Sequence, residues 1–289
     1  MVEFLNNPTV QILFLPFFGS ALLTGLILLL GRRKSGDGSG IGLANASVGA
    51  GFAWVAALIL GTPTLPPAFN SSAILSATVA LLAVGIILDL YLNQTTKFGR
   101  LIETVAIILC SIGIAAWMGG VIDFWSMPIL IACGAVFFCL QRIGSNDAFG
   151  SGDATLILAT AAFGLGLISW ISGIAIDRDL AFGLATTSLG FYVWNLPRPR
   201  LYFGRSILLA GGGGLCMIAL RLIEQAPPLI PAIILLGFIF FVDTASQYVP
   251  NRFKIIRLLP SSLILFILAV IPISLAAMAA VIAIEFQFN

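Results

Sequence analysis

Ten long apolar runs, separated by short polar breaks, make up almost the whole chain. Each run holds roughly 20 mostly apolar residues, the length that an α-helix needs to cross a bilayer. The pattern predicts spanning helices over about residues 10–31, 42–61, 73–92, 101–118, 124–141, 154–174, 180–196, 205–222, 228–248 and 261–286. Because every connection is short, we expect an all-α polytopic membrane protein of about ten transmembrane helices, with a single integral membrane domain over residues 1–289.

The positions of Lys and Arg predict how these helices are oriented. Counted from the N-terminus, the even-numbered connections carry only Arg178 and Arg221. The odd-numbered connections carry the other basic residues, which are Arg32, Arg33, Lys34, Lys97, Arg100, Arg142, Arg198, Arg200, Arg205, Arg252, Lys254 and Arg257. Since connections rich in Lys and Arg stay in the cytoplasm, both termini are expected on the periplasmic side, most simply of a bacterial inner membrane.

Composition narrows the range of functions. Hydrophobic residues make up 60% of the chain and charged residues 9%, with a mean hydropathy of +1.10. We therefore expect the lipid bilayer as a partner, and the net charge of +2 is too small to favour nucleic acid. Histidine is absent, which removes the commonest zinc ligand and general base. The four cysteines lie in apolar runs without C-x-x-C spacing and are interpreted as small buried hydrophobes.

Acidic residues collect at the predicted cytoplasmic ends of several helices. Asp89 ends the third helix, Glu103 begins the fourth, and Asp243 lies near the inner end of the ninth. Asp147 and Asp153 occupy the fifth connection. Charged groups at membrane depth are costly and are functional candidates, although they also serve as helix-end anchors that form salt bridges. Basic residues are expected at the same level, namely Lys97, Arg100, Arg142 and Arg205.

Two chemistries use paired acids in such a place. Carboxylates from separate helices hold Mg²⁺ against a diphosphate, where the metal neutralises the charge that develops on the transferred phosphoryl group. Alternatively, two aspartates that share a proton activate water for peptide hydrolysis. For the second chemistry, G-S-G-D, Gly150 to Asp153, resembles the motif of GxGD-type intramembrane aspartyl peptidases, with Asp89 as the partner acid.

One polar segment resembles a second family. It reads G-F-Y-V-W-N-L-P-R-P-R-L-Y-F-G-R-S, Gly190 to Ser206. It is similar to the consensus G-F-L-x-x-N-x-P-P-A-x-I-F-M-G-D-x-G-S of the polyprenyl-phosphate N-acetylhexosamine-1-phosphate transferases, which include the bacterial phospho-muramoyl-pentapeptide translocase. Two further segments, Gly85 to Glu103 and Phe240 to Ala245, resemble the family's G-L-L-D-D and P-x-F-D-T segments in the same order. The resemblance covers about residues 30–260.

The resemblance implies a ten-helix scaffold with both termini outside and a site in the cytoplasmic loops. For an active member it implies Mg²⁺ as cofactor and transfer of a sugar phosphate from a UDP-sugar onto polyprenyl phosphate. The residues that match the implied site are, as catalytic groups, Asp89, Asp153 and Asp243; as Mg²⁺ ligands, Asp89 and Asp153; as phosphate-binding groups, Lys97, Arg200 and Arg205; and as structural residues, Asn195, Pro197 and Gly204.

Several positions depart from the family pattern. Leu88 and Asp89 provide one carboxylate where the family has two, and Arg205 replaces the aspartate of the family's G-D-x-G-S. The segment Asn146 to Asp153 rearranges the family's N-x-x-D-G-x-D-G, and a histidine-containing motif is excluded by composition. A fixed cation at position 205 would repel Mg²⁺ or replace it as a phosphate-binding group.

Three hypotheses about function remain open at this point. In the first, the chain is a degenerate relative of the transferases that has lost catalysis, needs no cofactor and serves as a structural or accessory subunit beside other membrane proteins. In the second, it is a divergent Mg²⁺-dependent transferase that acts on polyprenyl phosphate. In the third, it is a GxGD-type peptidase. A transporter has less support, because the apolar runs lack an inverted repeat and a charged residue near a helix midpoint.

Overall fold

The computed structural model describes residues 10–34, 39–61, 72–91, 97–119, 126–146, 153–196, 201–246 and 261–288. Within these ranges the backbone is helical apart from short turns, and it contains no β-strand. The principal helices are α1 (Leu15–Lys34), α2 (Ala46–Leu60), α3 (Ser72–Tyr91), α4 (Lys97–Gly119), α5 (Ser126–Asn146), α6 (Asp153–Ile171), α7 (Ala175–Tyr192), α8 (Gly212–Gln225), α9 (Ile230–Gly237) and α10 (Ser261–Phe288).

Short helical pieces extend several of these helices. A π-helical turn, Val10–Phe14, precedes α1, and the short helix Ser39–Ala44 precedes α2. A second π-helical segment, Ile207–Gly211, leads directly into α8. The 3₁₀ turns Pro227–Leu229 and Phe238–Phe241 flank α9, so the predicted ninth helix is a composite element. Prolines 227, 228 and 231 account for the irregular start, since proline removes a backbone donor.

Nine helical segments of the described chain are long and apolar enough to cross a membrane. This confirms an all-α, membrane-type architecture. The nine segments are Val10–Leu30, Gly42–Leu60, Ala73–Tyr91, Gly99–Ala116, Met127–Ser145, Asp153–Ile171, Ile207–Gln225, Pro227–Ser246 and Ser262–Glu285. They correspond in order to nine of the ten predicted helices.

The remaining predicted helix, at residues 180–196, is α7, which begins five residues earlier than its apolar run. Its first two turns hold Asp177, Arg178 and Asp179, and these charges make α7 less apolar than the other helices. The link from α6 is short because Gly173 adopts a φ of 75°, a conformation that glycine reaches without steric cost. The hydropathy pattern predicted the start of α7 too late, because charged residues such as Asp177 count as part of the connecting loop.

Helices α6, α7 and α8 form the centre of the bundle. α6 packs along α7, while α7 also contacts α1 and α2. Most residues of α6 and α8 are buried, whereas α1 and α5 expose large side chains such as Leu22 and Ile131. A bundle with an apolar exterior is suited to a hydrocarbon solvent, in which every backbone polar group is satisfied within its own helix. Contact with the lipid bilayer follows from this surface.

Candidate functional site

The carboxylate of Asp89 caps the helix that leads into α8. Asp89 lies in the last turn of α3, and its Oδ1 accepts a hydrogen bond from the backbone N–H of Arg205 at 2.9 Å. Its Oδ2 accepts from the Ser206 N–H at 2.9 Å and from the Ser206 hydroxyl. The first N–H groups of a helix have no partner within it, and a negative charge is favourable at that end. Asp89 therefore provides from another helix what an N-cap residue usually provides.

Gly85, one turn before Asp89, makes this contact possible. A Cβ at Gly85 would lie 2.5 Å from Ser206 Cα and 3.1 Å from the Arg205 carbonyl oxygen. Both atoms belong to the backbone, so they cannot move aside as a flexible side chain can. Because Gly85 has no side chain, the helical turn at Arg205 and Ser206, which leads into α8, approaches α3 closely enough for Asp89 to cap it.

Arg205 is buried and paired with an acid from a third helix. Its Nε donates to Oε2 of Glu103 at 2.9 Å, and the two side chains are 3% and 16% exposed. Its Nη1 also donates to the Leu88 carbonyl at 3.4 Å. The guanidinium predicted to bind phosphate is thus placed between α3 and α4, where it links these helices to the start of the eighth.

Asn195 closes the loop of the Gly190 to Ser206 segment. Its Nδ2 donates to the Leu201 carbonyl at 3.1 Å, and its Oδ1 accepts from the Leu201 N–H at 2.8 Å. Gly204 lies against the buried side chain of Asn45, where a Cβ would overlap the amide. Two residues predicted for this loop, Pro197 and Arg200, lie outside the described residues. Lys97 is the first residue of α4, and the structure describes its backbone only.

A second polar group lies at the same end of the bundle. Arg142, near the end of α5, donates from Nη2 to Thr244 Oγ1 at 2.9 Å, and Asp243 lies within electrostatic reach of the same guanidinium. The group belongs to the Arg205 end of the bundle because Gly144 of α5 lies against the Phe203 ring. The structure therefore places Asp89 beside Arg205 and Asp243 beside Arg142.

The structure describes both predicted Mg²⁺ ligands, Asp89 and Asp153. Asp153 begins α6 and is half-buried. Across the described ranges, no three Cys, Asp or Glu side chains come together as ligands of one metal ion. The arrangement around Asp89 consists instead of a carboxylate, backbone donors and a guanidinium.

Tyr202 adds a hydroxyl close to this arrangement. Its side chain is half-buried, and its hydroxyl lies near Gly42 and the Asp89 backbone. Burial, together with the nearby Asp89 charge, raises the pKa of the Tyr202 phenol. The phenol is therefore neutral at physiological pH and retains its proton as a hydrogen-bond donor.

The sequence analysis did not predict an ion pair between the start of α7 and the end of α8, at the end of the bundle away from Arg205. Nε of Arg221 lies 3.1 Å from Oδ1 of Asp177, whose side chain is fully buried. Burial raises the pKa of Asp177 from its ordinary value of 3.8 to about 6, and the Arg221 charge partly opposes the rise. The signal was available, since Arg221 falls inside the predicted window 205–222 and a charge within a span needs a partner.

No protein-family model matches the chain, and no curated protein matches it significantly. The similarity to polyprenyl-phosphate transferases therefore stays a prediction from the motifs. Function has to be inferred from the placement of Asp89, Arg205 and Glu103.

Proposed function

We propose that this chain is a non-catalytic structural or accessory subunit of a membrane complex, built on a scaffold similar to that of the polyprenyl-phosphate sugar-1-phosphate transferases. The observation that carries this proposal is the use of Asp89 as a helix cap. An ionised carboxylate has about four acceptor positions. Arg205 and Ser206 occupy three of them in Asp89. The acid that a transferase would use to bind Mg²⁺ thus has a structural role here.

Arg205 supports the same proposal. It stands where the family pattern has an aspartate, and its positive charge beside Asp89 opposes the binding of a divalent cation. Its guanidinium faces Glu103 and the Leu88 carbonyl. A phosphate would have to displace the Glu103 carboxylate to contact Arg205 fully, and separating a buried ion pair is costly.

The distribution of Lys and Arg in the sequence supports a membrane location and an orientation for this subunit. Both termini lie on the periplasmic side of a bacterial inner membrane, and the Asp89 cluster lies at the cytoplasmic face. Other membrane proteins are the partners of such a subunit. Its role is to present a stable helical scaffold to them.

A divergent Mg²⁺-dependent transferase acting on polyprenyl phosphate is the second candidate. One observation favours it, because Arg142, Asp243, Tyr202 and Arg205 all lie at the end of the bundle where the motif resemblance expects phosphate. A GxGD-type peptidase needs two carboxylates that share a proton. Asp89 is bonded to Arg205 and Ser206, and this environment does not favour the peptidase.

An exchange assay separates these candidates. The full chain in nanodiscs containing undecaprenyl phosphate is supplied with Mg²⁺, a UDP-sugar and labelled uridine monophosphate. We expect no label in the UDP-sugar above the level of empty nanodiscs, whereas Asp89→Asn lowers the unfolding temperature. Mg²⁺-dependent exchange that Asp89→Asn abolishes and Asp179→Asn preserves would establish the transferase and overturn the proposal.

Native electrophoresis of solubilised membranes tests the accessory role directly. We expect the chain to migrate in an assembly larger than its own 30.5 kDa. Asp89→Ala, which removes the cap, should reduce the amount of this assembly, while Asp179→Ala, which removes only the partner of Arg178, should not. Migration as a monomer in a mild detergent would contradict the accessory role.

A further inference from the structure

One carboxylate is completely buried at the end of the bundle away from Arg205. Asp177 lies in the first turn of α7, its side chain is 0% exposed, and its Oδ1 is 3.1 Å from Nε of Arg221 on α8. In the described part of the chain, no group donates an aligned hydrogen bond to either Asp177 oxygen. Hydrogen bonds to a carboxylate favour its ionised form. The charge of Asp177 therefore depends on the Arg221 guanidinium.

The other charged groups near Asp177 are few. On α7 itself, Arg178 is paired with Asp179, with an N–O distance of 2.8 Å. Helices α1, α2 and α6 pack against α7. Of their described residues, α2 has no acidic or basic side chain, and those of α1 and α6 lie at the ends remote from Asp177, at residues 32–34 and 153. On α8, the acidic and basic residues are Arg221 and Glu224.

Glu224 is a second carboxylate within reach of Arg221. It lies three residues further along α8, and positions i and i+3 are neighbours on the surface of a helix. Glu224 is exposed, while the Arg221 side chain is 12% exposed. Nη1 of Arg221 has no acceptor among the described residues. Rotation about the bonds of the Arg221 side chain therefore turns the guanidinium from Asp177 to Glu224 without moving a helix.

We propose that Asp177 is a proton-binding site that selects the partner of Arg221, so that this end of the bundle responds to pH. The ionised carboxylate holds the guanidinium between α7 and α8. A proton bound to Asp177 removes the negative charge, and a buried guanidinium without a counter-charge is costly. Arg221 then pairs with Glu224, which lies nearer to water.

The change of partner acts on the centre of the bundle. α7 and α8 both pack against α6, so release of Arg221 weakens the connection between the start of α7 and the end of α8. Burial raises the pKa of Asp177 to about 6, and the change of partner therefore falls between about pH 7 and pH 5. In the orientation predicted from Lys and Arg, this end faces the periplasm. The inference is independent of whether the chain is catalytic.

Thermal unfolding of the full chain in detergent tests the change of partner at about pH 7.5 and about pH 5.5, on either side of the Asp177 titration. Glu224→Gln should lower the unfolding temperature by about 2 °C more at the lower pH, where Glu224 holds Arg221. In the Asp177→Asn background, which has no carboxylate to ionise, Glu224→Gln should have the same effect at both pH values. Equal effects in the wild-type background would overturn the proposal, and this comparison decides the question even where Asp177→Asn does not fold.

Infrared difference spectra measure proton binding itself. On acidification, the wild-type chain should gain a protonated-carboxyl band that Glu224→Gln retains and Asp177→Asn lacks. A band that disappears in Glu224→Gln and remains in Asp177→Asn would refute the site. Asp179→Asn is the control for loss of a nearby acid, because Asp179 is paired with Arg178. It should shift the unfolding temperature equally at both pH values, and a difference as large as that of Glu224→Gln would refute the change of partner.

Discussion

At the scale of single residues, the cluster of Asp89, Glu103, Arg205 and Ser206 is organised by charges that stabilise the backbone and side chains of neighbouring helices. Asp89 accepts three hydrogen bonds from Arg205 and Ser206, and Arg205 donates to Glu103. These contacts join residues more than 100 positions apart in the chain. Each side chain therefore contributes to stability in a way that substitution can measure.

Removal of the Asp89 cap should destabilise the fold. Asp89→Ala leaves the N–H groups of Arg205 and Ser206 without their acceptor in a buried place, and we expect a loss of about 3 kcal/mol in the free energy of unfolding. Asp89→Asn keeps one acceptor oxygen and should cost roughly half as much. Denaturant or thermal unfolding in detergent measures both. A loss no larger than that of Asp179→Ala, which removes a side chain that is 21% exposed and paired with Arg178, would contradict the cap.

The Arg205–Glu103 pair should show a large coupling energy. Removing one partner leaves the other charge buried, so Arg205→Leu and Glu103→Leu should each cost about 3 kcal/mol. The double variant should cost much less than both together, because it removes both charges. The Arg178–Asp179 pair, with an N–O distance of 2.8 Å and side chains that are 36% and 21% exposed, is more accessible to water and should show coupling of about 0.5 kcal/mol or less. Equal coupling energies in the two cycles would contradict the buried ion pair.

At the scale of helices, close approach of backbones decides which elements meet. Gly85 lets α3 approach the start of the eighth helix, and Gly190 lets α7 lie against the Phe17 carbonyl of α1. Small residues serve this purpose in membrane bundles, where packing instead of hydrophobic exclusion holds helices together.

Gly85→Ala should separate α3 from the eighth helix. Its Cβ would lie 2.5 Å from Ser206 Cα, so we expect a loss of about 2 kcal/mol from overpacking and from weakened Asp89 bonds. Gly134→Ala in α5 is the matched control, because no atom lies within 4 Å of its added Cβ. It should be neutral or stabilise by up to about 1 kcal/mol, since alanine favours the helix. Similar unfolding temperatures for both variants would refute the close approach.

The Asp177–Arg221 pair between α7 and α8 should make stability depend on pH. The pKa of Asp177 is about 6 in the folded chain against 3.8 ordinarily, so the folded state holds this proton more tightly than the unfolded state. Proton binding by Asp177 therefore stabilises the folded state fully below about pH 4, by on the order of 2–3 kcal/mol. This stabilisation is lost as the pH rises to about 7. Unfolding temperatures across this range should fall less steeply in Asp177→Asn. An identical slope in the variant would contradict this assignment.

At the scale of the whole molecule, the central helices α6, α7 and α8 and the apolar faces of the outer helices are those of an integral membrane protein. α6 and α8 are mostly buried, whereas the outer helices expose leucine, isoleucine and phenylalanine. The polar groups divide between the two ends of α7 and α8, with Arg205 at one end and Arg221 at the other. Orientation in the membrane then decides which end faces the cytoplasm.

Reporter fusions test that orientation. The distribution of Lys and Arg predicts periplasmic termini and a cytoplasmic loop between α5 and α6. Alkaline phosphatase, which is active only in the periplasm, should be active when fused after Asn289, whereas green fluorescent protein should fluoresce when inserted within residues 147–150. No phosphatase activity after Asn289, together with no fluorescence from the insertion, would reverse the assignment of Asp89 and Arg205 to the cytoplasmic face.

The sequence by itself determined the helical membrane architecture and the order of its helices, because hydropathy over roughly 20 residues is a local property that decides whether a segment crosses a bilayer. In the described part of the chain it located nine helices that are long and apolar enough to cross a membrane. It misplaced the start of α7, where Asp177 is buried and paired with Arg221. It also marked Asp89, Asn195 and Arg205 as unusual. Only the tertiary structure decided what these residues contact, since Gly85, Glu103 and Ser206 reach them from helices distant in sequence. Such contacts depend on how helices approach one another, which no local pattern encodes.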